Sequence, residues 1–498
     1  MCLDIVNDKV LTYEQKVLGL GRCAENSLDV LNISEEVKKY REENIICDLY
    51  EGNAPYRPRY IVVNFEKFMK EGSEFLRLNP PKDIWEAVNN LLIFYKHIPS
   101  ITSFPVYIGN IDYLLDPFVK DEEEAYRAIK IFLNHIDRTI TDSFCHANIG
   151  PKDTKAARLI LKAERELENS VPNITLKYGK DTPDELAIES IKTALVVAKP
   201  SFANDEMFKN DLGEYGIASC YNGLKIGGGA YTLVRLNLGR LVNKAESMDQ
   251  FFNYLLPDAV ENMVSYIDER IRFLVEESNF FESSFLVREG FIDKDLFTGM
   301  FGMVGLAQCV NKLFEIEKIE GRFGHCKEAD DLGIKIVEAM EKLLDKYNNT
   351  YCKCTGGKHL LHAQVGIDSD VGISPGCRIP IGEEPDLYKH LIQSSKFHKY
   401  FPSGIGDIFP FEPTAKNNLK SVLDIIKGSF KSDMRYMSIY SSDSDLIRIT
   451  GYLVKKSEIE KLSKGHQVLK DTVVLGKGAV DNHGILNRRV RNNESLSK

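Results

Sequence analysis

Between residues 60 and 440, short apolar runs rich in β-branched and aromatic residues alternate with longer stretches whose apolar residues recur every three or four positions. The first pattern suits strands and the second suits helices, so the alternation predicts an α/β architecture with helices packed on sheet. Strand candidates are YIVVN (60–64), NITLKY (173–178), YGIAS (215–219) and RYMSIY (435–440). Helices are predicted over 156–169, 257–275 and 331–347, and where Ala125, Ala128, Ile129, Phe132, Ile136 and Ile140 share one face. The acidic run from Asp121 to Glu124 suits the positive N-terminal end of that last helix. In EPTAKNNLKSVLDII, Thr414 is the expected cap of a helix presenting Leu419, Val422, Leu423 and Ile426. Gly- and Pro-rich breaks at 223–229, 354–357, 372–385 and 402–413 read as loops that separate elements without dividing the chain into independent units.

The 498 residues exceed the usual size of one domain, although a large barrel holds that many in a single body. A net charge of −9 argues against nucleic acid as a partner, since phosphate binding needs a basic face. The basic residues Arg488, Arg489 and Arg491 read as a solvated tail or a packing contact. No run of about 18 apolar residues occurs, so no membrane span is expected. The N-terminus MCLDIVNDKV, with an early acid and no long apolar core, does not read as a secretory signal. Ten scattered cysteines read as reduced thiols in a cytoplasmic protein.

Several motifs fall short of a function. GLGRCAEN lacks the third glycine and the preceding strand of a dinucleotide loop, and NGLKIGGGA lacks the Lys-Ser/Thr of a phosphate loop. YCKCTGGKHLLH brings Cys352, Cys354, His359 and His362 close in sequence. Cys-x-Cys is tighter than structural-zinc spacing and no second pair completes it, so a polar loop without metal is expected. In SFCHANIGP, His146 adjoins Cys145, with Asp142 four residues before His146. Adjacent side chains on most backbones point apart, which leaves His146 as a core histidine or a pocket residue.

Two stretches carry more. In YGIASCYNGLKIGGGAYTLVRLNLGR (215–240) a strand-like run ends at Cys220, a polar glycine-rich turn follows, and a helix is expected from about 231. Cys220 would then stand at the tip of a loop held by rigid flanks. In DLIRITGYLVKK (445–456), Gly451 interrupts an apolar strand-like run, which by itself suggests a bulge or a close backbone approach.

Together these stretches resemble the glycyl radical enzymes, most closely their YjjI-type branch. That family ends in an Arg-Val-x-Gly-aromatic motif, and this chain has Arg448, Ile449, Thr450, Gly451 and Tyr452. VPNITLKY looks like the family's Pro-Asn-x-Thr strand, and FANDEMF resembles its Glu/Ala-Asn-Asp segment. FPSGIGDIFPFEPTAKNNLKSVLDII is similar to the glycine-rich run before its last helix, so the likeness spans about residues 140 to 455. The resemblance implies an α/β fold: a ten-stranded barrel of two five-stranded half-sheets surrounded by helices, with a Cys-tipped finger loop near 215–230 and a C-terminal glycyl radical loop inside. It divides the chain into a barrel domain over 1–430, with a helical N-terminal part, and a glycyl radical region over 431–498. It also implies that an S-adenosylmethionine-dependent iron–sulfur activase, the partner, installs a radical at Gly451. Cys220 would relay it as a thiyl to a small polar substrate, with no permanently bound cofactor, and the chain would form a homodimer. A radical at Cα is stabilised by the flanking amides only if that carbon becomes planar, which glycine reaches without a side-chain clash.

Two departures bear on the reaction. Ser219 stands where pyruvate formate-lyase-like members have a second cysteine, and Asn222 where dehydratase and lyase members usually carry glutamate. A serine without a base is a poor nucleophile, and an amide does not abstract protons. Proton transfer would fall to Asp205, His146, Glu383 or Glu384, and the expected outcome is elimination or bond cleavage, a lyase reaction. Ser219 and Asn222 would hydrogen-bond a leaving group. Acyl transfer as in formate C-acetyltransferase and anaerobic ribonucleotide reduction are the alternatives. The reductase family normally adds a four-cysteine metal site around its glycine, and no cysteine follows Cys377. In a third reading, a structural or binding protein, Cys220 and Gly451 are incidental.

Overall fold

The alternation in the sequence becomes two mixed sheets that face each other inside a coat of helices. The computed structural model describes residues 2–488 and 490, apart from 102, 103, 141, 143 and 365–369. One sheet has five strands: Ile46–Cys47, Gly228–Asn237, Phe297–Val304 and Leu360–Ala363 in order, with Tyr60–Val62 also paired to Gly228–Asn237. The other runs Asp407–Phe411, Tyr436–Ser441, Ser201–Asn204, Asn173–Tyr178, His146–Ile149, Tyr107–Asn110. This second half-sheet therefore has six strands rather than the expected five. Its last four strands are mutually parallel, and helices Glu122–Thr139, Lys155–Leu167 and Asp184–Val197 make the crossovers between them.

The helix expected from about 231 is instead the centre of strand Gly228–Asn237, every residue of which is buried. A strand covered on both faces reads as a nearly continuous apolar run, and periodicity alone does not separate it from a buried helix. The break predicted at 223–229 is likewise mostly strand, because Asn222–Lys225 and Gly228–Asn237 occupy all but two of its residues. A Cβ on Gly228 would strike Leu296 O and one on Gly229 would strike Tyr60 O, so these glycines permit close strand packing. Asp121 caps helix Glu122–Thr139 through Glu124 N at 2.7 Å. Thr414 is not a cap, since it lies within the 3-10 turn Pro413–Asn417. Asn418 accepts from Ser421 N and starts helix Leu419–Lys431, which buries Val422, Leu423 and Ile426.

The C-terminal residues form a second apolar cluster beside the barrel. Helices Lys456–Ser463 and Asp471–His483 pack Ile459, Leu462, Val473 and Ala479 against Ile447, Ile449, Tyr452 and Val454. Lys470 is tied to Asp137 of the barrel coat, its Nζ 3.0 Å from the carboxylate. Arg488 donates to Arg448 O at 2.9 Å, so this basic residue is a packing contact, while Arg489 and Arg491 lie outside the described residues. Among the described residues no helix is long and apolar enough to cross a membrane.

Candidate active site

Cys220 tips an antiparallel hairpin whose strands, Tyr215–Ala218 and Asn222–Lys225, pair Ala218 with Asn222. Three residues, Ser219, Cys220 and Tyr221, make the turn, with Ser219 in the left-handed region at φ 61°. Gly216 and Gly223 let this finger through the interior: a Cβ on Gly216 would sit 2.8 Å from the Tyr107 ring, and one on Gly223 would strike Phe208. The parallel strands of the six-stranded sheet brace it with side chains at every second position. Asn148 donates to Ile217 O at 3.0 Å and accepts from Ile217 N at 2.8 Å, while Lys177 donates to Tyr215 O at 2.7 Å.

Gly451 lies at the tip of a second hairpin, formed by Leu446–Arg448 and Leu453–Lys455. Asn173 Nδ2 donates to Gly451 O at 2.9 Å, and Asn173 Oδ1 accepts from Arg448 Nη2 at 3.1 Å. Arg448 Nε also donates to Ala198 O at 2.7 Å. On strand Asn173–Tyr178, Asn173, Thr175 and Lys177 thus bond to the glycine hairpin, to Tyr436 and His146, and to the finger.

The two tips touch. A Cβ built on Gly451 would overlap Cys220 Cβ and stand 2.8 Å from its Sγ. The φ of Gly451 is outside the left-handed range, so glycine is required here by space rather than by backbone conformation. The hydrogen occupying that Cβ direction, the pro-S hydrogen, is directed at the Cys220 side chain. Burial pushes the Cys220 pKa up to about 11, against the Tyr221 N–H, Arg378, Ser219 and Arg59, which favour the thiolate. At neutral pH Cys220 therefore keeps its S–H hydrogen. Tyr436 holds the loop by donating to Cys220 O at 2.8 Å, and Tyr221 donates to Ala363 O at 2.8 Å.

Of the other candidates, Ser219 and Asn222 flank Cys220, with Asn222 Oδ1 3.9 Å from its Sγ. Asn222 Nδ2 is buried without a hydrogen-bond partner among the described residues. His146 Nδ1 is 2.9 Å from Ser219 O, and Nε2 is 2.6 Å from Thr175 Oγ1. A carbonyl only accepts, so Nδ1 carries the proton; burial pulls the ring's pKa down to about 3, leaving a neutral strut under the finger. The three carboxylates expected near the thiol bond elsewhere. Asp205, at the base of the finger, takes Lys209 at 2.6 Å and Tyr215 OH at 2.8 Å. Glu383 pairs with Arg322 at 2.5 Å, and Glu384 accepts from Gly382 N at 2.7 Å. Glu383 and Arg322 line an outer cleft of about 650 Å³ that reaches Thr450 and the tail but is not lined by Cys220.

Cys352 Sγ lies 3.8 Å from His359 Nδ1, and His359 Nε2 is 2.9 Å from Asp268. Among the described residues no three His, Cys, Asp or Glu side chains are grouped to hold a metal. Of three buried residues beside Cys220, Arg59 and Arg378 had no mark in the sequence, and His362 stood out there only as part of the zinc-like spacing with Cys352, Cys354 and His359. His362 stacks on Tyr221 with ring centroids 5.6 Å apart, and the Arg378 guanidinium is 5.8 Å from the Tyr221 ring centroid. Arg59 comes from the residue before strand Tyr60–Val62, and its charge acts on the Cys220 thiol. Arg378 and His362 stood in stretches read only as loops.

A cysteine-tipped finger meeting a glycine hairpin inside an α/β barrel is the arrangement of a glycyl radical enzyme. Comparison with known proteins narrows the class: the chain belongs to the YjjI-like glycyl radical enzyme family, whose profile matches residues 11–491. An uncharacterized protein of Haemophilus influenzae is 48% identical over 502 residues, covering 99% of this chain and 98% of that one. The uncharacterized protein YjjI of Escherichia coli K12 is 42% identical over 499 residues, covering 98% and 95%. Among solved structures, the anaerobic ribonucleotide reductase of Thermotoga maritima with dATP in its specificity site aligns at a TM-score of 0.69 and 12% identity, over 88% of this chain and 87% of that one. Hydroxyproline dehydratase of Clostridioides difficile aligns at 0.68 and 11%, over 99% and 88%. The B12-independent glycerol dehydratase of Clostridium butyricum aligns at 0.62 and 14%, over 82% and 67%. At such identities these likenesses establish the fold.

Proposed function

We propose that Gly451 stores the radical and that Cys220 passes it to a small polar substrate, which then undergoes elimination or bond cleavage. The observation that carries this reading is the contact of the two tips, with the Gly451 pro-S hydrogen directed at the Cys220 side chain. The Gly451 radical takes the thiol hydrogen, leaving a thiyl; the thiyl takes a hydrogen from substrate, restoring the thiol; the product radical recovers a hydrogen from it; and the thiyl so formed takes a hydrogen back from Gly451, returning the radical to the glycine. A thiol held protonated by burial suits this sequence, because each step moves a hydrogen atom and none needs a thiolate. The radical is installed by an S-adenosylmethionine-dependent iron–sulfur activase, and the region 431–498 carries it on the glycine hairpin.

A lyase outcome is favoured over acyl transfer because Ser219 replaces a second cysteine, and the Asn222 amide offers an unsatisfied N–H to a leaving group. The dehydratases with this fold act on small polyfunctional molecules by name, which suits the same class of reaction. Activated protein is to be incubated anaerobically with pooled polyols, hydroxy acids and amino acids, and substrate loss followed by mass spectrometry. Loss of water, ammonia or a carbon fragment from one component is expected. Formation of formate and an acyl-coenzyme A from a 2-keto acid would overturn the lyase reading.

A further inference from the structure

The cations around Cys220 outnumber the carboxylates that serve them. On one side Arg59 Nη1 donates to Glu51 Oε1 at 2.8 Å, yet Glu51 also takes Arg270 at 3.1 Å and the Thr232 hydroxyl at 2.7 Å. Asp48 is shared between Arg270 at 3.6 Å and Arg41 at 3.2 Å. On the other side Arg378 Nε donates to Gly406 O at 2.8 Å. The Asp407 carboxylate is 3.7 Å from Arg378 and is bonded to His390 at 2.9 Å. Four guanidiniums (Arg41, Arg59, Arg270 and Arg378) thus share three carboxylates (Asp48, Glu51 and Asp407), and the buried Arg448 of the glycine hairpin bonds Ala198 O and Asn173 Oδ1 but no carboxylate among the described residues. Arg59 and Arg378 are only 6% and 8% exposed. Arg59 Nε and Arg378 Nη1 are both buried with no hydrogen-bond partner among the described residues. A buried cation left without its full set of acceptors is costly, and an anion that arrives there recovers that cost.

We propose that the substrate carries a carboxylate, held by Arg378 and Arg59 beside Cys220. This rests on the reading of Cys220 as the hydrogen-abstracting residue, because both charges act on its thiol and Arg378 lies over the ring of the next residue, Tyr221. The planar guanidinium fork of each arginine matches the edge of a carboxylate.

The test uses the full-length protein before activation, so it needs no radical. Calorimetric titration compares each acid with its alcohol: glycerate with glycerol, lactate with propane-1,2-diol, and 4-hydroxyproline with 4-hydroxyprolinol. At least one acid is expected to bind saturably, about 30-fold or more tighter than its alcohol. Arg378→Gln and Arg59→Gln should each abolish that preference, and Arg378→Lys, which keeps the charge but loses the fork, should retain part of it. Equal binding within every pair, no saturable binding by any of the acids, or a preference unchanged in both Gln variants would overturn the proposal. The radical is scored separately by spin resonance, so failure here and failure of the Cys220–Gly451 reading give different results.

Discussion

At Gly451 the absent side chain makes room for another residue, because the space a methyl group would need is filled by Cys220. The sequence made this glycine conspicuous within an apolar run but left its neighbour undetermined, since 231 residues separate Gly451 from Cys220. The Arg59 and Arg378 pair was less legible still, because unpartnered buried N–H groups exist only once the fold has assigned every other acceptor. Cys220, with a pKa of about 11 and only 2% exposure, has about one thiolate in a thousand at pH 8. Iodoacetamide at that pH should therefore label the exposed Cys2 while leaving Cys220 nearly untouched, as read by peptide mass spectrometry. Labelling of Cys220 as fast as Cys2 would mean an accessible thiolate, which the buried contact with Gly451 does not allow.

Strand Asn173–Tyr178 shows how much an element's pattern conveys. Its period of two was readable, but the usual assignment of polar residues to solvent is inverted, since Asn173 and Thr175 are fully buried and point at the two loops. A barrel interior that holds chemistry needs polar braces, and the hydrophobic pattern alone does not reveal which face is inside. The ten-residue strand taken for a helix from 231 failed for a related reason, since burial on both faces removes the alternation that marks a strand. Asn173→Ala would leave Gly451 O and Arg448 Nη2 without their partner, costing about 1–3 kcal/mol in the hairpin that carries the glycine. Amide hydrogen exchange over residues 446–455 should quicken by about tenfold or more, with helix Glu122–Thr139 unchanged. Unaltered exchange in the hairpin would show that Asn173 does not hold it.

Across the whole molecule, the two sheets exist to bring one cysteine and one glycine together out of water. The barrel supplies the braces, and the tail packs its own apolar cluster over the glycine hairpin, pinned to the coat by Lys470 and Asp137. Such enclosure keeps bulk water from the two tips. The central claim is that Gly451 carries the unpaired electron, and electron spin resonance of anaerobically activated protein tests it most directly. Wild-type protein should give one organic radical split by the remaining α-hydrogen, the splitting should collapse with glycine deuterated at Cα, and Cys220→Ser should keep the signal while Gly451→Ala abolishes it. A radical that persists in Gly451→Ala, or a splitting indifferent to deuterated glycine, would contradict the account.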